Sequence, residues 1–438
     1  MCKDDISSTA DSDDDFVDSK VTEQATSSGL HLALIITGGT IGYALFIVAN
    51  QIGGALGLQK AAYAFAAGCL VLGLFGAVTS YIGARTRCST YLLAEFSFGT
   101  KGAQVAKAVI AISLLGWFSV INATLGEAIQ KILLVGFDLH VSSYVTIILS
   151  CVVIIAVVIH GFTGIDRFAL YLTPVMILFL FYLCWVSLTG LETTGHIEGA
   201  PPFTLSTAIN AVIGSYIAGV VTQPDYSRFA RTRRHAIWGV FVALGVVFPI
   251  ILLIAAVPGM ATKQMDFLAA VTLLGLLAPS FVVLFFGAWG SNVLTLYSSS
   301  LSIGTIIHSW SLKRLVFVLG VTGTIVALLP VREYLIFFLV ALSVSIPPIA
   351  AIYTVEAFLI RRFDFDESRL EKEANINFQA IAAWVMAILF GYLSENQMVS
   401  LTGIASLDSI MISAIGYYGL MRLFPRKIIT TDVEEVIE

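Results

Sequence analysis

The chain has 438 residues, of which 58% are hydrophobic and only 12% charged, with a formal net charge of −5. A soluble domain carries about a quarter of its residues charged, so a water-soluble enzyme or binding module is excluded and an integral membrane protein is indicated. The net charge says little about partners, because much of the acid sits in one tail.

That tail comes first. Residues 1–29 are rich in Asp, Ser and Thr without an apolar run. This predicts a disordered acidic cytoplasmic tail, and no signal peptide, since no basic start precedes an apolar stretch. From residue 30 onward apolar stretches recur. Twelve spans are expected, near 31–54, 61–84, 103–133, 141–160, 166–189, 206–224, 236–258, 267–301, 313–330, 334–359, 376–394 and 402–421. Residues 30–424 thus read as one membrane-embedded domain, with a short cytoplasmic tail at 425–438.

The first span, LHLALIITGGTIGYALFIVANQIGGALGL, contains Gly38, Gly39, Gly42, Gly53 and Gly54, and the sixth, STAINAVIGSYIAGVVTQPD, contains Gly214 and Gly219. Each mid-helix glycine costs about 1 kcal/mol relative to alanine. Broken helix at membrane depth is tolerated only where protein or a water-filled cavity covers the freed backbone groups. Breaks are expected at Gly38–Gly42 and at Gly214–Ser215–Tyr216, one in each half, which is the pattern of a transporter binding site. Spans 1–5 (30–190) and 6–10 (203–360) would form two repeats. Five being odd, the repeats cross in opposite senses, with the site between them, and spans 11 and 12 (375–424) lie at the periphery.

Only Lys60, Lys131, Lys263 and Arg332 of the 24 Lys and Arg fall in the loops after odd-numbered spans or within the ends that face them. The positive-inside rule therefore places both termini in the cytoplasm.

No catalytic set is visible. The six histidines lie at span ends or in loops, and no HExxH, GxSxG or phosphate-cradling loop occurs. Cys2, Cys69, Cys88, Cys151 and Cys184 form no CxxC pair, so neither a metal centre nor a disulfide framework is expected. The chain reads as no enzyme and needs no cofactor.

What stands out is polar or aromatic groups amid apolar helix. Trp117 lies mid-span, where core packing competes with a protein-lined site. At Gly214–Ser215–Tyr216, a hydroxyl and a ring beside a freed N–H suit a flat polar ligand, or else mark a helix-packing kink. Asn292 is costly in a bilayer unless paired, as ligand contact or as interhelical glue. Ser291 could give one oxygen to a hard cation, and unwound carbonyls near Gly38–Gly42 could give more. Among the few charges, Glu127 is expected to be solvated or ion-paired near the outer end of span 3, and Glu356 to pair locally with Arg361. Asp166 is a further charge beside a span. Asp225 reads as a helix-end contact beside Arg228 or as a gate.

Several stretches are similar to one known family: YIGARTRCSTYLLAEFSFGTKG (81–102), GWF (116–118), GSYIAG (214–219), DYSRFAR (225–231) and SIPP (345–348). Together they resemble the nucleobase–cation symporter-1 family, cytosine/purine permease branch, over most of spans 1–10. The resemblance implies an all-α membrane protein of twelve helices. It implies a leucine-transporter-type 5+5 inverted repeat, discontinuous helices 1 and 6, and two peripheral helices. It also implies import of a nucleobase-like ring by cation-coupled symport with alternating access. Trp117 and Tyr216 match the ring-stacking positions, and Ser215, the Gly42 backbone and Asn292 match polar ones. Gly38, Ile41, Gly287, Gly290 and Ser291 match sodium positions, but relatives carry Ser or Thr where this chain has Gly290. Sodium or a proton is the implied coupling ion. The expected surroundings are the bilayer of the inner (plasma) membrane, as a monomer with no nucleic-acid partner. The alternatives are a same-fold carrier for an amine or amino acid, and a membrane sensor that transports nothing.

Overall fold

A computed structural model of the chain describes residues 27–160, 165–189, 197, 203–372 and 374–426. Residues 1–26 of the acidic tail, residues 427–438 and the side chain of Asp166 lie outside the described residues. Among those described, the regular elements are helices, and the one extended pairing is an isolated bridge from Ser27 to Ala230.

Among the described residues, eight helical runs are long and apolar enough to cross a membrane: Tyr43–Thr86, Ala103–Phe137, Ser143–His160, Tyr171–Thr189, Arg233–Thr262, Leu277–Gly304, Leu335–Ile360 and Phe378–Glu395. Gly29–Thr40 and Leu205–Val221 are shorter apolar helices.

The first apolar stretch breaks where glycine was densest. Helix α1 (Gly29–Thr40) starts on Ser28, whose hydroxyl accepts from the His31 N–H. Ile41 and Gly42 are both extended, and α2 (Tyr43–Thr86) begins at once. A straight helix of 44 residues would be about 66 Å long, twice the ~30 Å hydrocarbon layer. It is interrupted at Gly57, whose φ of 75° few other residues adopt. The expected loop between spans 1 and 2 is thus concentrated in one residue.

Helix α3 (Thr90–Phe98) is a short element that the sequence analysis did not anticipate. It leads into α4 (Ala103–Phe137), α5 (Ser143–His160) and α6 (Ile165–Thr189). Between α4 and α5, Asn122 donates to the Ile147 carbonyl at 3.1 Å and accepts from Ser150 at 2.9 Å. Interhelical bonds of this kind average about 0.6 kcal/mol in a membrane.

Helix α7 (Leu205–Val221) corrects one expectation: it runs unbroken through Gly214–Ser215–Tyr216. Gly214 is there for close packing, because a Cβ would overlap the backbone carbonyl of Leu339. The interruption comes later, at Thr222, before the five-residue α8 (Gln223–Ser227). Pro224 explains it, since a proline cannot donate to the carbonyl four residues back and collides with it. The carbonyls left over are capped from elsewhere. Thr79 of α2 donates to Val220 O at 2.9 Å, while Tyr353 and Thr90 donate to Val221 O at 2.9 and 3.4 Å.

Helices α9 (Arg233–Phe241) and α10 (Phe248–Thr262) are joined by a π-helical stretch, Val242–Val247. The expected eighth span is divided by residues 274–276 into α11 (Phe267–Leu273) and α12 (Leu277–Gly304). Hydroxyls of Ser299 and Ser302 tie α12 to the Ala111 and Lys107 carbonyls of α4. The chain continues as α13 (Leu312–Ala327), α14 (Leu335–Ser345), α15 (Pro347–Val355), α16 (Phe378–Glu395) and α17 (Ala405–Leu423).

Beyond α15, fully buried Glu356 accepts from Arg361 at 2.7 Å, from Tyr417 of α17 at 2.5 Å and from Arg426 at 3.3 Å. The expected Glu356–Arg361 pair is therefore present, inside a larger network. Asn377 extends it, donating to Ser97 O and to the Tyr417 hydroxyl.

Candidate functional site

The break at Ile41–Gly42 is surrounded by three other helices. A Cβ on Gly38 would stand 2.6 Å from the Thr173 hydroxyl of α6, and one on Gly39 would lie 3.5 Å from the Tyr216 hydroxyl of α7. A Cβ on Gly287 of α12 would stand 2.6 Å from the Ile41 carbonyl oxygen, so this non-helical carbonyl is pressed against α12. The Gly38 carbonyl accepts weakly from Ile41 N at 3.3 Å. No atom lies within 4 Å of where a Cβ would stand at Gly42 or at Gly290. The structure therefore brings together Gly38 and Ile41, Tyr216 and Gly287 from three separate stretches of sequence.

Trp117 of α4 is nearly buried, and its ring meets Phe338 of α14 at 5.8 Å and 69°. Gly116 lets that happen, for a Cβ there would be 2.8 Å from the Phe338 ring. The next residue, Leu339, presses its carbonyl on Gly214 of α7. Helix α14 is thus wedged between Trp117 and the turn that holds Ser215. Sequence reasoning missed Phe338 and Leu339, because LIFFLVALSVS offers no polar residue ahead of its serines to mark a special position. The Tyr216 ring, next in sequence to Ser215, leans on Phe248 of α10 at 6.1 Å.

The polar candidates differ in what they have left to offer. Ser215 donates its proton to Val212 O at 2.6 Å, so its hydroxyl oxygen is left to act as an acceptor. Asn292 of α12 is fully buried, and neither its amide nitrogen nor its amide oxygen has a partner among the described residues. A buried unsatisfied amide costs about 1–3 kcal/mol per group, and Asn292 has both a donor and an acceptor left to offer. Among the described residues no group of three His, Cys, Asp or Glu side chains could hold a metal ion.

Asp225 stands apart from these groups, on α8. Its carboxylate accepts from Thr90 N at 2.7 Å, at the first turn of α3, where the helix end favours a negative charge. Burial nevertheless pushes this carboxyl up to about 6, against the opposing influence of Arg228 and Thr90. A carboxylate pKa raised in the folded state means stability that is fully present below about 4 and is lost as pH rises through 6. Asp225→Asn, which keeps the acceptor and removes the charge, is therefore expected to raise the thermal unfolding midpoint at pH 7 and leave it unchanged near pH 4. Equal effects at both pH values would show that the charge carries no stability cost.

Comparison with known proteins gives one consistent picture. Residues 21–413 match the family described as permease for cytosine/purines, uracil, thiamine, allantoin. The cytosine permease of Escherichia coli (strain K12) is 26% identical over 418 residues, covering 95% of this chain and 96% of its own length. A solved structure of Mhp1, a nucleobase-cation-symport-1 family transporter in a closed conformation with bromovinylhydantoin bound, superposes with a TM-score of 0.78. It is 19% identical and covers 93% of this chain and 96% of that one. A Na+-coupled sialic acid symporter in a substrate-bound outward-open state gives a TM-score of 0.67 at 12% identity, covering 94% and 93%. At these identities the solved structures establish a shared fold.

Proposed function

Because the chain belongs to the family of permeases for cytosine/purines, uracil, thiamine and allantoin, we propose that it imports a nucleobase or related planar heterocycle by cation-coupled symport with alternating access. Membership makes it a nucleobase-type membrane transporter rather than an enzyme. The finer reading is of twelve membrane-spanning helices, with 30–190 and 203–360 as inverted repeats, 375–424 as peripheral helices, and both termini on the cytoplasmic side of the inner membrane. The working unit is a monomer.

In this reading the heterocycle lies between the rings of Trp117 and Tyr216. It donates an N–H to Ser215 and exchanges hydrogen bonds with Asn292 and the Gly42 backbone. Stacking accepts any flat ring, at roughly 1–3 kcal/mol per ring, and the polar groups select among rings. The coupling ion is sodium or a proton. Sodium would draw on the carbonyls of Gly38, Ile41 and Gly287 and the hydroxyl of Ser291. Asp225, holding the first turn of α3, is the gating residue at the cytoplasmic end. The observation that carries the reading is the extended pair Ile41–Gly42, with its carbonyl on Gly287 and the Tyr216 hydroxyl beside Gly39.

Uptake of radiolabelled cytosine, hypoxanthine, hydantoin and allantoin, with and without sodium, tests it. Accumulation of at least one is expected, and failure of every planar nitrogen heterocycle would overturn the reading. The free space at Gly290 sets a second test. Gly290→Ser restores the hydroxyl that relatives carry, and should lower the sodium concentration for half-maximal uptake by about tenfold, the worth of one good hydrogen-bonding oxygen. An unchanged sodium dependence would point to proton coupling.

A further inference from the structure

Arg332 lies in the connection between α13 and α14 and joins three parts of the molecule. Its guanidinium donates to Glu127 of α4 at 3.0 Å and to Asp266 at 2.5 Å. Asp266 also receives Lys131 of α4 at 3.6 Å, and caps α11 by accepting from Ala269 N. The four side chains are about one-third exposed, so water reaches the cluster. Two basic and two acidic groups leave it neutral, which makes it a poor site for an ion and a good fastening.

The fastening is linked by direct contact to the break in the first apolar stretch. Phe267 follows Asp266, and its buried ring packs on Tyr43 and Phe46 at 6.3 and 5.3 Å. Tyr43 follows Gly42, and its buried hydroxyl has no hydrogen-bond partner. On the other side, six residues after Arg332, Phe338 braces Trp117. To move α14 and the α10–α11 corner away from α4, Arg332 must part from Glu127 and Asp266 from Lys131.

We propose that Arg332 is a positioning residue for transport: the bolt of an external gate, holding the α13–α14 connection and the α10–α11 corner to α4 over the substrate site. Partly exposed ion pairs are individually weak and salt-sensitive. A bolt made of them holds the gate shut yet opens on every cycle.

The proposal rests on the transport reading above, and one of its tests needs no substrate. In a full-length background with the five native cysteines replaced, Tyr43→Cys places a thiol beneath the bolt. A membrane-impermeant maleimide is then added from outside. Arg332→Gln should label about tenfold faster than its parent. Raising potassium chloride to about 0.5 M should accelerate the parent but not Arg332→Gln. Arg332→Lys, which keeps the charge but loses the fork that spans two carboxylates, should fall between. For uptake, removing the bolt should lower KM and kcat together, since entry becomes easier and closure slower. A merely structural loss would lower kcat through abundance alone. Equal labelling of Arg332→Gln, Arg332→Lys and parent, in proteins of equal thermal midpoint, would overturn the bolt. Absence of uptake in every variant, with the labelling difference present, would overturn the transport reading and leave the bolt standing.

Discussion

Replacing Trp117 with alanine is expected to reduce the efficiency of uptake by about 100-fold, with the protein still present in the membrane. The figure follows from the loss of one stacking face, roughly 1–3 kcal/mol, together with the release of Phe338, which leans edge-on against this ring. Trp117→Phe supplies the contrast. It retains a ring to stack and to meet Phe338, and should lose less than tenfold. Uptake kinetics should be read beside the thermal shift induced by the substrate, since a ligand stabilises in proportion to its occupancy. If both variants fall equally, or if abundance falls while the shift on ligand addition persists, then Trp117 is a packing residue and the stacking role is lost.

The largest effect on stability is expected at Glu356. This carboxylate is fully buried and accepts from Arg361, Tyr417 and Arg426. Removing one member of a buried charged set leaves the others uncompensated, at a cost of about 3–5 kcal/mol. Glu356→Ala should therefore lower the unfolding midpoint sharply and reduce the amount of folded protein. Glu356→Gln keeps the acceptor for Tyr417 and should retain part of that loss. Thermal unfolding of purified protein, with size-exclusion profiles, measures both. An unchanged midpoint in Glu356→Ala would mean that water, not protein, solvates Arg361 and Arg426.

The two helix interruptions show what sequence can and cannot convey. At Ile41–Gly42 the clustered glycines marked a true break, because glycine weakens the helix around it and β-branched Ile41 favours an extended backbone. At Gly214 the same residue type serves a different purpose, the approach of Leu339. Nothing local separates these uses, since a missing Cβ permits both. Pro224 held the readable signal, an imino acid at the end of an apolar run, but it coincided with the expected end of the span. Glu127 was readable as solvated or ion-paired; its partner, Arg332, lies 205 residues away. Phe338 and α3 gave no signal, because their roles depend on which helices the fold sets beside them. The burial of Asn292 with no amide partner among the described residues was hidden from sequence for the same reason.

The capped carbonyls at the end of α7 also set an order of construction. Val220 O is served by Thr79, which the ribosome has already delivered when α7 is made, whereas Val221 O takes its shorter hydroxyl bond from Tyr353, synthesised 132 residues later. A carbonyl left bare in hydrocarbon is costly. The nascent chain must therefore keep this end of α7 near water, or lean on the longer bond from Thr90, until α15 arrives. Helix α15 is thus what completes the end of α7, and a chain truncated before Tyr353 would carry an unfinished seam however well its earlier helices had inserted.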